Sequence, residues 1–354
     1  MNKLLLDDVS LIIENKTVNW DIFKGKTVFI TGANGYVPQF FVHSFLRRND
    51  VYGDNIRVIA LCRNESRAKE RFADYLDRDD FRLVIQDVCE PMDIDEDIHF
   101  FISAASPAGI KKRYEDPVAT FSANVTGFEN VLKLAVKNPC EGILLLSSVD
   151  VYGVLDNRSR IKETDVGTLD TLNLRNIYSC GKRAAETLGV AYASKYDMPL
   201  FIVRPYQILG PGIELNDGRL HADFIRQIKE SGEIVLKGDG TPVRSFMYIT
   251  DAITGMLAVF TRGERNTAYN VCDENGEASV LELATTMAKL VKDKDVKISY
   301  NMKTRKSDPA VTQTLDYVCG DPTKLRGLGW KPVLSLKQAC MRMMRYYDVD
   351  VEES

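Results

Sequence analysis

Tyr178 and Lys182 stand four positions apart in the run Tyr-Ser-Cys-Gly-Lys. On a helix such a pair shares one face, so a phenol and an ammonium point into the same cleft. A nearby ammonium favours the phenolate and lowers the tyrosine pKa, which makes a general base for a hydroxyl group. Upstream, the apolar run 143–146 ends in Ser147-Ser148-Val149-Asp150-Val151-Tyr152-Gly153. Ser148 and Asp150 thereby bring a hydroxyl and a carboxylate to the same place. Proton transfer at an alcohol is the chemistry these four side chains can share.

A second constellation lies near the start of the chain. The apolar run 26–30 leads into Thr31-Gly32-Ala33-Asn34-Gly35-Tyr36-Val37-Pro38. A strand, a glycine-rich turn and then a helix seat a pyrophosphate on helix N-terminal amides. Gly32 permits the tight turn and Gly35 lets backbone approach the phosphates. Pro38 stands where a third glycine is usual, and proline is tolerated in a first helical turn. The next strand ends in Leu61-Cys62-Arg63-Asn64, followed by Ser66 and Arg67. No acid is in place there for the ribose hydroxyls of NAD, and Arg63 leans towards the extra phosphate of NADP. Asp87, after the third strand, is positioned to accept from an adenine amino group.

These residues need a scaffold, and its outline is legible. Apolar runs at 26–30, 56–61, 82–85, 99–102, 143–146 and 200–203 read as strands buried on both faces. Helical patterns at 39–48, 118–136 and 179–194 lie between them. Such alternation predicts a Rossmann-type, doubly wound parallel α/β sheet over residues 25–205. After Arg204-Pro205 the pattern changes. Helices at 223–231, 248–261, 280–291 and 336–347, with strands at 233–236 and 296–300, predict a smaller C-terminal substrate-binding lobe over 206–354, open to interleaving with the first. Residues 1–24 are expected to form a helical cap or a partner contact.

Composition narrows the function classes. The chain has 354 residues, 46 basic and 50 acidic, for a net charge of −4. No bulk field favours nucleic acid. Nothing approaches the length of apolar run that a membrane span requires. Acids interrupt the short apolar stretch at the N-terminus and no small-residue cleavage site follows, which argues against a signal peptide. Seven cysteines without a C-x-x-C pair, and three scattered histidines, argue against a disulfide framework or a metal centre. A reducing cytoplasm is the expected setting.

The motifs occur in a telling order: T-G-x-x-G, Ala104-Ala105-Ser106, Asn124-x-x-Gly127, S-S-x-x-V-Y-G, Y-x-x-x-K and Arg204-Pro205. In this order the chain resembles the extended short-chain dehydrogenases/reductases, in their nucleotide-sugar epimerase/dehydratase branch, over nearly everything after residue 24. It looks closest to UDP-glucuronate decarboxylases and their capsule-cluster relatives through stretches 175–188, 216–227, 238–251 and 328–332. The resemblance implies that Tyr178 removes the C4 hydroxyl proton while hydride passes to a tightly bound, recycled NAD or NADP. Lys182 would also hold the nicotinamide ribose, and Ser148 would hydrogen-bond the sugar oxygen. It further places Asn34, Tyr36, Val37, Val88, Ala104 and Ala105 at the cofactor and Ser106 at the substrate. Asn216, Arg219 and Arg244 resemble residues near the diphosphate of a nucleotide sugar, which suits the planar guanidinium fork. A homodimer through helices 118–136 and 179–194 is implied as well.

Departures from the family pattern shape the expected reaction. Val149 replaces the Asp that dTDP-glucose dehydratases use as general acid, and Asp150 is one methylene shorter than the Glu of decarboxylases. Tyr317 aligns with an Arg that decarboxylases carry, for which Arg305 is a candidate replacement. The leading expectation is therefore C4 oxidation of a nucleotide-activated hexose with internal redox, as a 4,6-dehydratase or 4-epimerase. UDP-glucuronate decarboxylation, NADPH-dependent reduction of a 4-keto-sugar and non-enzymatic dinucleotide sensing are the alternatives.

Overall fold

The apolar runs of the first half become strands because helices cover them on both sides. The computed structural model describes residues 2–107, 109–155, 159–301 and 316–352. Helix α1 (Lys3–Ile13) comes first, then β1 (Thr27–Thr31), α2 (Pro38–Tyr52), β2 (Arg57–Cys62), α3 (Glu65–Arg71), β3 (Phe81–Ile85) and β4 (Phe100–Ser103). After them follow α4 (Ile110–Glu115), α5 (Pro117–Val136), β5 (Gly142–Leu146), α6 (Ile177–Tyr196) and β6 (Leu200–Pro205). Every residue of β1 and of β5 is buried. One apolar layer joins the sheet to α1 and α2, and another joins its opposite face to α5 and α6.

Local chemistry sets the helix ends. Pro38 opens α2, where its missing N–H costs nothing. Asp116 caps α5 by accepting from the Ala119 amide at 2.9 Å, with Pro117 in the first turn. The long helices α5 and α6 lie side by side, and Gly189 lets them approach: a Cβ there would meet Leu200 at 2.9 Å and Phe128 at 3.1 Å.

The second half continues with β7 (Gln207–Leu209), α7 (Leu220–Ser231), β8 (Glu233–Leu236), β9 (Val243–Tyr248), α8 (Ile249–Arg262), β10 (Thr267–Val271), β11 (Glu277–Ser279), α9 (Val280–Leu290), β12 (Lys297–Tyr300) and β13 (Tyr317–Val318). The main sheet runs β10-β6-β5-β4-β1-β2-β3, and all its pairings are parallel. Its last strand, β10, therefore comes from beyond residue 205, and α8 packs on the same sheet. The two halves interleave. A smaller sheet is built on β9, which pairs with β7, β11 and β13, while β8 and β12 form a separate parallel pair. The five-residue run of β10 has only three buried positions, and β7, β11 and β13 are two or three residues long. Such segments carry little periodicity, so the sequence does not announce them.

The chain before residue 24 is part of this core. Helix α1 buries Val9, Ile12 and Ile13, and it packs on α2 and α8. Asp8, 1% exposed, accepts from the Tyr248 hydroxyl at 2.7 Å and from Arg342 at 2.6 and 3.0 Å. Arg342 lies on the final helix, Leu336–Tyr346, so one buried carboxylate ties the two ends of the chain together. Among the described residues no helix is long and apolar enough to cross a membrane.

Candidate functional site

Strand order reverses at β1, which has β2 on one side and β4 on the other. Loops leaving the carboxyl ends of β1 and β4 must diverge there, and the crevice between them is where ligands of such sheets sit. Thr31, the last residue of β1, holds the two loops in register: its hydroxyl accepts from the Ala104 and Ala105 amides at 3.1 and 3.2 Å. Gly32 follows at φ +62°, and a Cβ would stand 2.7 Å from the Ala105 Cα. Only glycine fits, on both steric and conformational grounds. No side chain caps the first turn of α2, leaving the positive end of that helix facing the crevice.

A cleft of about 500 Å³ opens from this crevice towards the second half. Gly32, Asn34, Gly35, Val37, Arg63, Asp87, Val88, Ala104 and Ala105 line it beside the glycine turn, Ser106, Ser148, Asp150, Tyr178 and Lys182 line it beyond, and Tyr36 and Arg219 meet on its wall. The residues fit a dinucleotide: a glycine cradle that a Cβ would fill, a bare helix terminus, and Asp87 and Arg63 side chains 3.5 Å apart beyond it. Of the other expected residues, Asn216 is exposed on its loop, and Arg244, half-buried on β9, donates to the Val243 carbonyl at 2.7 Å and feels the Asp150 carboxylate.

At the end of the cleft near Tyr178, β5 delivers Ser148 into the short turn Val149–Tyr152, and α6 delivers Tyr178 and Lys182. The Ser148 hydroxyl accepts from the Asp150 amide at 3.1 Å, capping the turn, and its influence on Tyr178 favours the phenolate. Lys182 donates to the Leu146 carbonyl at 2.6 Å and is buried, which pushes its ammonium down to about 7; Arg113 adds to that push. Beneath them, Glu186 accepts from Ser147 at 2.5 Å and from Arg204 at 2.7 and 2.9 Å, bracing α6 against the ends of β5 and β6.

Burial raises Tyr178, and the cations opposing that rise are Arg113 first and then Arg219. The Lys182 ammonium, expected to favour the phenolate, stands 5.7 Å from the centre of the same ring. Arg113 comes from α4, which the sequence pattern did not reveal. Its guanidinium lies 3.5 Å from the centre of the Tyr178 ring and forms an ion pair with Asp150 at 3.0 Å. The one available signal was the basic run Lys111-Lys112-Arg113 soon after Ser106. Elsewhere, Tyr317 on β13 donates to the Glu277 carboxylate at 3.1 Å, whereas Arg305 lies outside the described residues.

A doubly wound sheet, a glycine turn at its switch point and a serine, tyrosine and lysine on neighbouring elements define an extended short-chain dehydrogenase/reductase. Residues 28–272 match the model of the NAD dependent epimerase/dehydratase family. UDP-glucuronic acid decarboxylase 2 of Arabidopsis thaliana is 30% identical over 324 residues, which cover 91% of this chain and 68% of that protein. UDP-glucuronic acid 4-epimerase from Bacillus cereus, solved with UDP-glucuronic acid and NAD, superposes with a TM-score of 0.76 at 18% identity, covering 91% of this chain and 99% of that one. For dTDP-glucose 4,6-dehydratase from Bacillus anthracis, solved with NAD, the TM-score is 0.72 at 18% identity, with coverage of 91% and 96%. The chain belongs to the NAD dependent epimerase/dehydratase family.

Proposed function

We propose that this chain is an NAD-dependent enzyme that oxidises C4 of a nucleotide-diphosphate hexose and returns the hydride to the same sugar. The observation that carries the proposal is the convergence of Ser148, Tyr178 and Lys182 at one end of a cleft whose other end is the glycine cradle. Tyr178, as phenolate, takes the proton of the C4 hydroxyl, and Ser148 steadies the same oxygen. Lys182 holds the nicotinamide ribose. NAD, when bound, accepts the hydride and later returns it. Arg219, whose guanidinium stands 5.3 Å over the Tyr36 ring, receives the diphosphate. Asn216 and Arg244 are kept as candidates for the same role, Arg244 by its proximity to Asp150.

Arg63 is already engaged with Asp87 at 3.5 Å, and Arg67 with Glu214 at 2.6 Å. A ribose phosphate would meet those two carboxylates as well as the arginines, which supports NAD over NADP.

Within the family the reaction read first is 4-epimerisation. Water loss needs a proton donor near C5 and C6, but Val149 is apolar and Asp150 is held in its ion pair with Arg113. Epimerisation needs only the tyrosine, the hydride acceptor and space for the keto-sugar to turn. Decarboxylation of a nucleotide hexuronate is the second reading, supported by the UDP-glucuronic acid decarboxylases among the relatives and by a guanidinium in the cleft. The test is product mass from a panel of UDP-, GDP-, CDP- and dTDP-hexoses and UDP-glucuronate, with trace NAD. An isomer of unchanged mass supports the epimerase, loss of carbon dioxide moves the assignment to the second reading, and loss of water restores the dehydratase. No turnover of any of them overturns internal redox and leaves reduction of a keto-sugar with stoichiometric NADPH to be tried. We also infer a homodimer through α5 and α6, which sedimentation would check.

A further inference from the structure

Arg113 has more donors than its partners use. One terminal nitrogen meets Asp150 at 3.0 Å, while its Nε is buried without a hydrogen-bond partner, and the flat of the guanidinium covers Tyr178. Lys182, by contrast, stands 5.7 Å from the same ring and has its ammonium directed to Leu146. A guanidinium keeps its charge across the working range of pH, whereas a buried ammonium gives its charge up readily.

Resting on the C4-oxidation reading, we infer that Arg113 is a positioning residue for Tyr178: stacked on the ring, it is the charge that holds the base as phenolate, and Asp150 sets how much of that charge the ring receives. When the phenolate oxygen takes the hydroxyl proton, the O–H bond to the sugar breaks and the one to Tyr178 forms. The anion that Arg113 faced on the ring disappears, while Asp150 remains as its partner. The arginine therefore meets one carboxylate throughout and one phenolate only before proton transfer. Other charges around the pair are Lys182 on α6, Arg219 before α7, Glu186 behind Lys182, and Arg244 on β9, which feels Asp150. Burial works against the phenolate, and Arg113 is the largest cationic influence opposing it.

The test replaces every tyrosine with 3-fluorotyrosine and follows Tyr178 by fluorine NMR in the NAD-loaded full chain, the signal being assigned by its loss in Tyr178→Phe. An opposite charge at this range moves a titration by roughly one to three units. Arg113→Gln is expected to shift the Tyr178 titration upward by about that much, with Arg113→Lys between it and the wild type, and Lys182→Met moving it less. Asp150→Asn should shift it downward. If a nucleotide sugar turns over, Arg113→Gln should lose roughly ten- to a thousand-fold in kcat/KM at neutral pH and recover as pH rises, a recovery that a merely structural defect would not give. A Tyr178 titration that is the same in Arg113→Gln and wild type overturns the inference, as does a larger shift from Lys182→Met. Should no nucleotide sugar be turned over, the C4-oxidation reading fails, and the NMR titration still decides the part of Arg113.

Discussion

At Tyr178 two requirements meet. A base must ionise, yet a base for a bound sugar must sit out of water, and burial opposes ionisation. The surrounding hydroxyl and cations answer that cost, so removing the phenol should remove catalysis without unfolding the chain. Tyr178→Phe is expected to lower kcat by roughly 10²–10⁴-fold with an unchanged melting temperature, measured on the substrate the panel identifies. Lys182 carries a different signature. Its folded pKa, about 7, lies below the ordinary lysine value of 10.5, so between the two the unfolded chain holds more protons and stability rises with pH. Below about 7 both states are protonated and the penalty of the buried charge is complete. Lys182→Met should therefore raise the melting temperature most at acid pH, with the gain shrinking towards alkaline pH. A gain that is independent of pH would show that packing, not charge, is what the substitution changes.

At the scale of elements, the cofactor cradle depends on the close approach of the β1 and β4 loops. A methyl group on Gly32 would meet the Ala105 Cα and would also demand a left-handed backbone, a conformation costing an L-residue about 1–2 kcal/mol. Gly32→Ala should weaken NAD binding by about tenfold or more, equivalent to 1.4 kcal/mol, as calorimetry would measure. The T-G-x-x-G motif, the Tyr/Lys pair and Ser148 were legible because each follows a strand or rides a long helix, where spacing fixes geometry. Arg113 was not legible. It sits on a six-residue helix between loops, and nothing in its spacing says that it folds over Tyr178. Asn216 and Arg244 differ again: motif order brings them near the site, and the structure leaves Asn216 exposed on its loop while Arg244 on β9 feels Asp150.

For the whole molecule, the buried Asp8 joins the first helix to the last. Removing Arg342 leaves that carboxylate with the Tyr248 hydroxyl and no cation, and such losses cost roughly 3–5 kcal/mol. Arg342→Met should lower stability by about that amount in a urea titration, whereas a change within 0.5 kcal/mol, typical of surface sites, would mean the pair is a surface ornament. The same architecture explains what could be read in advance. Strand–helix alternation, the glycine turn and the Tyr178/Lys182 pair depend on neighbours within a few residues, so the order of amino acids alone specified the doubly wound sheet and the residue types it gathers at the cleft. The return of β10 to the main sheet, the seating of α1 in the core, and the placing of Arg113 over Tyr178 join residues tens to hundreds of positions apart. Such contacts are chosen by packing and by the pairing of buried charge, quantities that exist only once the chain has folded.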